Sequence, residues 1–124
     1  MTTDWRRQRI AKNETCFRDI NERLQEGLRR VPHAPEVERF ICECGDRKCE
    51  ASVQLTLEEY EAVRSDSRRF LVVPGHVYPE AERVVAGNDR YEVIEKIGEA
   101  VEVTDAADQR GRDAGPRRSD TATP

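Results

Sequence analysis

The sequence predicts a small α+β domain: an N-terminal helix packed on a mostly antiparallel sheet of three to four strands, one hairpin of which is stapled by zinc. Three observations predict it. Residues 3 to 28 carry a helical apolar period, residues 37 to 57 alternate like two strands around a turn, and Cys42, Cys44 and Cys49 fall close together in that turn. At 124 residues the chain is expected to form a single domain over residues 1 to 104. Residues 105 to 124, "DAADQRGRDAGPRRSDTATP", contain no large apolar side chain and are expected to form a disordered tail. The remainder is long enough for a modest core only, and a metal clip adds stability where a core is small.

The first helix is expected from Thr3 to Leu28. Ile10, Phe17, Ile20, Leu24 and Leu28 share one face, Trp5 lies outside that stripe and Gly27 stands near the end. Asn13 sits inside the stripe, where an asparagine either sets helix-pair register or takes a backbone or side-chain partner. Cys16 lies beside the stripe and is expected to be a small core residue before it is a ligand. The two prolines of "RRVPHAP" then end the helix, because proline cannot continue its hydrogen bonding.

Strands are expected from Val37 to Cys44 and from Ala51 to Leu57, joined as a hairpin through "GDRK". Phe40 and Cys42 fall on one face of the first, and Val53, Leu55 and Leu57 on one face of the second. A helix start follows: Thr56 as N-cap, Glu59 as its capping-box partner, and Leu55 with Tyr60 as a hydrophobic staple. That helix is expected to reach about Asp66. "RRFLVVPGH" is a further strand stopped by Pro74 and Gly75, and "RYEVIEKIG" is another, entered through the turn "GND". The acids of "EEYE" and "EAER" have the pattern of solvated helix faces.

Charge is unevenly spread around a net value of -4. Residues 1 to 31 hold eight Lys or Arg against five acids, whereas residues 32 to 104 hold nine against sixteen. An acidic body is a poor general phosphate binder, since affinity for nucleic acid rests on concentrated cationic contacts. Glu43, Asp46 and Glu50 even flank the cysteines. No stretch approaches the ~20 apolar residues of a membrane span, and the first residues hold no apolar run like that of a secretory signal. A cytoplasmic protein is therefore expected, and in a reducing compartment clustered cysteines are metal ligands or redox thiols more often than disulfides.

Alternate residues of a strand point to one side, so Cys42 and Cys44 can both reach one ion, and the excursion through Gly45 can return Cys49 to the same point. A structural zinc ion takes four protein ligands, and His76, His33 and Cys16 are the candidates for the fourth. A right-handed β-α-β path would carry His76 to the far side of the hairpin. An oblique helix followed by an antiparallel strand would keep it near.

The combination of "RNETCFRDINERL", "FICECGDRKC", "LTLEEYEAVR" and "RFLVVPGH" resembles a family of short, uncharacterised actinobacterial proteins over most of residues 8 to 76. In that family the C-x-C pair, the following cysteine and the P-G-H element occur together. The resemblance implies that Cys42, Cys44, Cys49 and His76 act as one unit, and that Cys16 occupies a position for a small residue; it implies no activity. Three cysteines and one histidine also hold the [2Fe-2S] cluster of CDGSH-type proteins, but those place the third cysteine and the histidine in one short loop. Here Cys49 and His76 lie 27 positions apart, which favours zinc.

The expected function is a non-enzymatic, zinc-stabilised regulatory or adaptor domain that meets a protein partner. A closed four-ligand site offers no substrate position, and neither a nucleophile arrangement nor a phosphate loop accompanies it. The alternatives are a nucleic-acid-binding zinc protein, suggested by Arg6, Arg7, Arg9 and Lys12 on the first helix, and a thiol redox sensor or open-site zinc enzyme.

Overall fold

A computed structural model describes residues 2–33, 36–98 and 100–108. Helix α1 spans Thr2–Arg29 and is followed by strand β1 (Glu38–Ile41), β2 (Ser52–Leu55), helix α2 (Leu57–Arg64), β3 (Arg69–Val72), β4 (Glu82–Gly87), β5 (Glu92–Lys96) and a short α3 (Ala100–Ala106). All strand pairs are antiparallel. They form two sheets rather than one: the hairpin β1-β2, and a three-stranded sheet in the order β3-β5-β4.

The hairpin and α2 lie where the sequence places them, but β1 ends at Ile41 rather than Cys44, β2 covers only Ser52–Leu55, and α2 ends at Arg64. Phe40 faces Val53 across the β1-β2 pair, and Glu38 faces Leu55. Thr56 accepts the Glu59 amide while the Glu59 carboxylate accepts the Thr56 amide, a complete capping box. Leu55 and Tyr60 are both fully buried in one core with Phe40, Val63, Leu71 and Val93. The Phe40 and Tyr60 rings stack with centroids 4.6 Å apart. A second apolar cluster surrounds Cys42 and Cys44 with Phe70, Val72 and Ile94. Strand β3 serves both, sending Leu71 to one cluster and Phe70 and Val72 to the other.

Helix α1 departs from the expected stripe. Ile10 is buried, and Leu24 and Leu28 pack against the first cluster. Ile20, however, is 47% exposed, and Phe17 is only half-buried. The face turned inward instead carries Ala11, Glu14, Arg18, Asn21 and Gln25, spaced by threes and fours as on any helix face. Hydrogen bonding explains this orientation. Arg18 donates to the Ser67 carbonyl at 2.5 Å and the Thr104 carbonyl at 3.3 Å, and its guanidinium lies over the Phe70 ring. Gln25 donates to Glu61 at 3.0 Å. Polar groups paired in this way can be buried without the large penalty of unpaired ones.

Two elements, β4 and α3, were not expected from the sequence. The acids of "EAER" are not a solvated helix face: Glu82 opens β4, and its carboxylate is fully buried beside Lys96 of β5 at 2.8 Å. Helix α3 packs against α1 and carries the chain past the expected domain end at residue 104. Asp105 accepts from Ser67 at 2.7 Å and pairs with Arg68, and Asp108 pairs with Arg64. Residues 105–108 therefore belong to the fold, and residues 109–124 of the expected tail lie outside the described residues. No described helix is long and apolar enough to cross a membrane.

Candidate metal centre

The hairpin does not turn tightly between β1 and β2 but opens into a loop, residues 42 to 51, that carries the three cysteines. Its base is closed by Cys42, whose amide donates to the Ala51 carbonyl at 3.0 Å. Its tip is a turn in which the Cys49 amide donates to Asp46 O at 3.0 Å and the Lys48 amide to Asp46 Oδ1 at 2.9 Å. That turn brings Cys49 back toward the base, where Cys42 and Cys44 lie.

His76 arrives from β3. Its amide donates to the Val73 carbonyl at 2.9 Å, closing a four-residue turn with Pro74 second and Gly75 third. Gly75 has φ of 92°, the left-handed value that a type II turn requires at this position. The P-G-H element is thus a device for reversing the chain and presenting the imidazole.

Strand β3 keeps His76 beside the cysteines, where a β-α-β crossover would have carried it away. It pairs with β5 on one edge, and on the other it meets the loop directly: the Glu43 amide donates to the Leu71 carbonyl at 2.6 Å. Further along, the Val73 amide donates to Cys42 Sγ at 3.2 Å. The strand leading to His76 therefore lies alongside the first two cysteines.

The ligand atoms of Cys42, Cys44, Cys49 and His76 all lie within 4.8 Å of one another, close enough to bind a metal ion. His76 Nδ1 is 3.5 Å from Cys42 Sγ and 3.7 Å from Cys49 Sγ. A tetrahedral ion with sulfur at about 2.3 Å and nitrogen at about 2.0–2.1 Å sets sulfur-to-nitrogen edges near ~3.6 Å. The four residues thus fit a single ion. Among the described residues no other group of three or more such side chains converges. Cys16 is exposed on α1 and His33 is exposed beyond it, so neither candidate joins the site.

The thiols differ electrostatically. The neighbouring Cys42 thiol lowers the Cys44 pKa to about 5. Neighbouring Cys44, together with burial, pushes Cys42 up, and burial raises Cys49. A cation bound by all three must displace the protons that the thiols carry. A cleft of about 290 Å³, lined by Cys44, His76, Val77 and Tyr78 among others, opens on the group.

Two residues beside the cysteines prove structural in ways their types only hinted at. Glu43, expected to add charge beside the sulfurs, points the opposite way, as alternation along an extended chain requires. It is fully buried and accepts from Tyr60 Oη at 2.6 Å, Asn21 Nδ2 at 2.8 Å and the Leu71 amide at 3.0 Å. Burial raises its pKa while these donors oppose the rise. Asn13, the polar residue inside the apolar stripe, donates to the Gly45 carbonyl at 2.8 Å and so ties α1 to the cysteine loop.

Comparison with family models, with curated proteins and with solved structures finds no match to this chain.

Proposed function

We propose that this chain is a non-enzymatic binding module whose fold is held by one structural zinc ion on Cys42, Cys44, Cys49 and His76, and that it acts through contact with a protein partner. The observation that carries the reading is the convergence of three sulfurs and one nitrogen within 4.8 Å. Four protein ligands complete a tetrahedral shell and leave no position for substrate. Soft thiolates with one imidazole suit zinc, and a two-iron cluster would spread its ligands over two centres. Thiolate ligands also suit a reducing, cytoplasmic setting. The zinc would join the β1-β2 loop to the end of β3, two segments that otherwise meet through hydrogen bonds and the apolar cluster of Cys42, Cys44, Phe70 and Val72.

The cleft that reaches Cys44 and His76 supports a second reading, in which the metal is exchanged or the thiols react. Cobalt substitution separates the two. A closed site should give intense tetrahedral cobalt bands with sulfur charge transfer that do not move when azide or a small thiol is added. Bands that shift with azide would reveal an open position and overturn the structural assignment.

A further inference from the structure

The cysteine loop and the first turns of α1 enclose a groove of about 840 Å³, within the size range of ligand clefts. Its floor is apolar, formed by Ile10 of the helix and Tyr78 beyond His76, with Trp5 at the rim and 60% exposed. Its walls are cationic. Arg9 lies 4.9 Å from the Trp5 ring and Arg6 5.7 Å from the Tyr78 ring, each in cation–π contact. Arg47 and Lys48 rise from the opposite side on the cysteine loop.

Arg6 is paired with Glu80. Among the described residues, Arg9, Arg47 and Lys48 form no ion pair. Trp, Tyr and Arg around an apolar floor are also the residue types that dominate binding energy where proteins meet.

We propose that this groove receives an acidic segment of a partner protein, with carboxylates on Arg9, Arg47 and Lys48 and an apolar or aromatic side chain on the surface of Trp5, Ile10 and Tyr78. The proposal rests on the binding-module reading and supplies the chemistry of its partner. A nucleic acid fits less well. It presents a charge at every nucleotide, yet the groove offers three cations without an ion pair, includes Asp46 in its lining and belongs to a chain of net charge -4. A peptide can place its acids opposite the cations and fill the floor with one side chain.

Trp5 is the chain's single tryptophan, so its fluorescence reports on the groove alone. The full chain, loaded with zinc, is used to select from a random peptide library displayed on phage, with an Arg9→Glu variant for counter-selection. Enriched peptides should place Asp or Glu around Phe, Leu or Trp. Synthesised with a non-tryptophan anchor, they should change Trp5 emission saturably and weaken about tenfold or more with Arg47→Glu.

Enrichment no greater than on the Arg9→Glu chain would overturn the proposal, as would enriched peptides that leave Trp5 emission unchanged. Oligouridylate that binds more tightly than any selected peptide would overturn it in favour of nucleic acid. Metal analysis of the same samples separates the two claims. A zinc-loaded chain that ignores acidic peptides removes the groove's assignment alone, and a metal-free chain that binds them removes the zinc reading alone.

Discussion

Asn21 and Ile41 pair as two strand residues would, although one belongs to a helix. Asn21 Nδ2 donates to the Ile41 carbonyl at 2.8 Å, and the Ile41 amide donates to Asn21 Oδ1 at 3.0 Å. The same Nδ2 reaches Glu43 at 2.8 Å, so one buried amide docks α1 on the strand that leads into the cysteine loop. Asn21→Leu keeps the size and removes every partner. It leaves buried donors and acceptors unpaired, at about 1–3 kcal/mol for each group. Urea unfolding should show a large loss of stability. A variant as stable as the wild type would mean that α1 docks by shape rather than by hydrogen bonds.

Gly45 has no room for a side chain. A Cβ placed there would fall 2.5 Å from Ile10 Cγ2 and 3.1 Å from Tyr78 Cε2, so α1 and the residues after His76 both close on the loop at this point. Gly45→Ala should push the loop away from α1 and lower the melting temperature. Ile10→Ala in the same chain should recover part of that loss by opening the contact, which a double-mutant cycle would measure as a favourable coupling. Additive losses would show that the two residues do not press on each other.

A buried ionic group joins α1 to the second sheet. Lys96 Nζ lies 2.7 Å from Glu14 Oε1 and 2.8 Å from Glu82 Oε1, and all three side chains are fully buried. Two carboxylates share one cation. Burial is the larger reason that the Glu14 pKa stands well above its ordinary 4.5, with neighbouring Glu82 adding to the rise and Lys96 opposing it.

A carboxyl group whose pKa is raised by folding holds its proton in the folded chain after the unfolded chain has lost it. Its contribution to stability is therefore full below pH 4.5 and declines as pH rises toward the folded-state value. Glu14→Gln supplies a neutral group of similar shape. The stability of the wild type relative to Glu14→Gln should fall as pH is raised from 4.5 to neutrality, and the pH dependence of any bound metal cancels in that difference. A difference that rises over this range would mean that Glu14 folds in its charged form.

The elements most legible in the sequence were those whose signals are local. Thr56 and Glu59 define a capping box within four residues, and Pro74, Gly75 and His76 define a turn. The convergence of His76 with the cysteines was not local, and spacing alone left His33 and Cys16 open. Strand β4 leaves no clear signal in the sequence because a bulge between Val84 and Ala86 interrupts its alternation, and Val84 is 46% exposed. Helix α3 is only seven residues long, too short for a helical period to emerge.

The inward face of α1 is hidden from the sequence for a different reason. Counting apolar residues selects the face with Phe17 and Ile20, but it cannot register that Arg18, Asn21 and Gln25 have partners waiting on other elements. Those partners, Ser67, Thr104, Ile41, Glu43 and Glu61, lie between 20 and 86 residues away in the chain. Only the folded chain brings them together.

The zinc assignment is tested most directly by native mass spectrometry of the chain purified without added metal. The wild type should carry one zinc ion, Cys42→Ser, Cys44→Ser and Cys49→Ser should lose it, and His76→Ala should hold it more weakly. Cys16→Ser should keep it, because Cys16 is exposed on α1, away from the group. A folded wild-type chain with no bound metal, all four of its cysteines open to alkylation, would contradict the account.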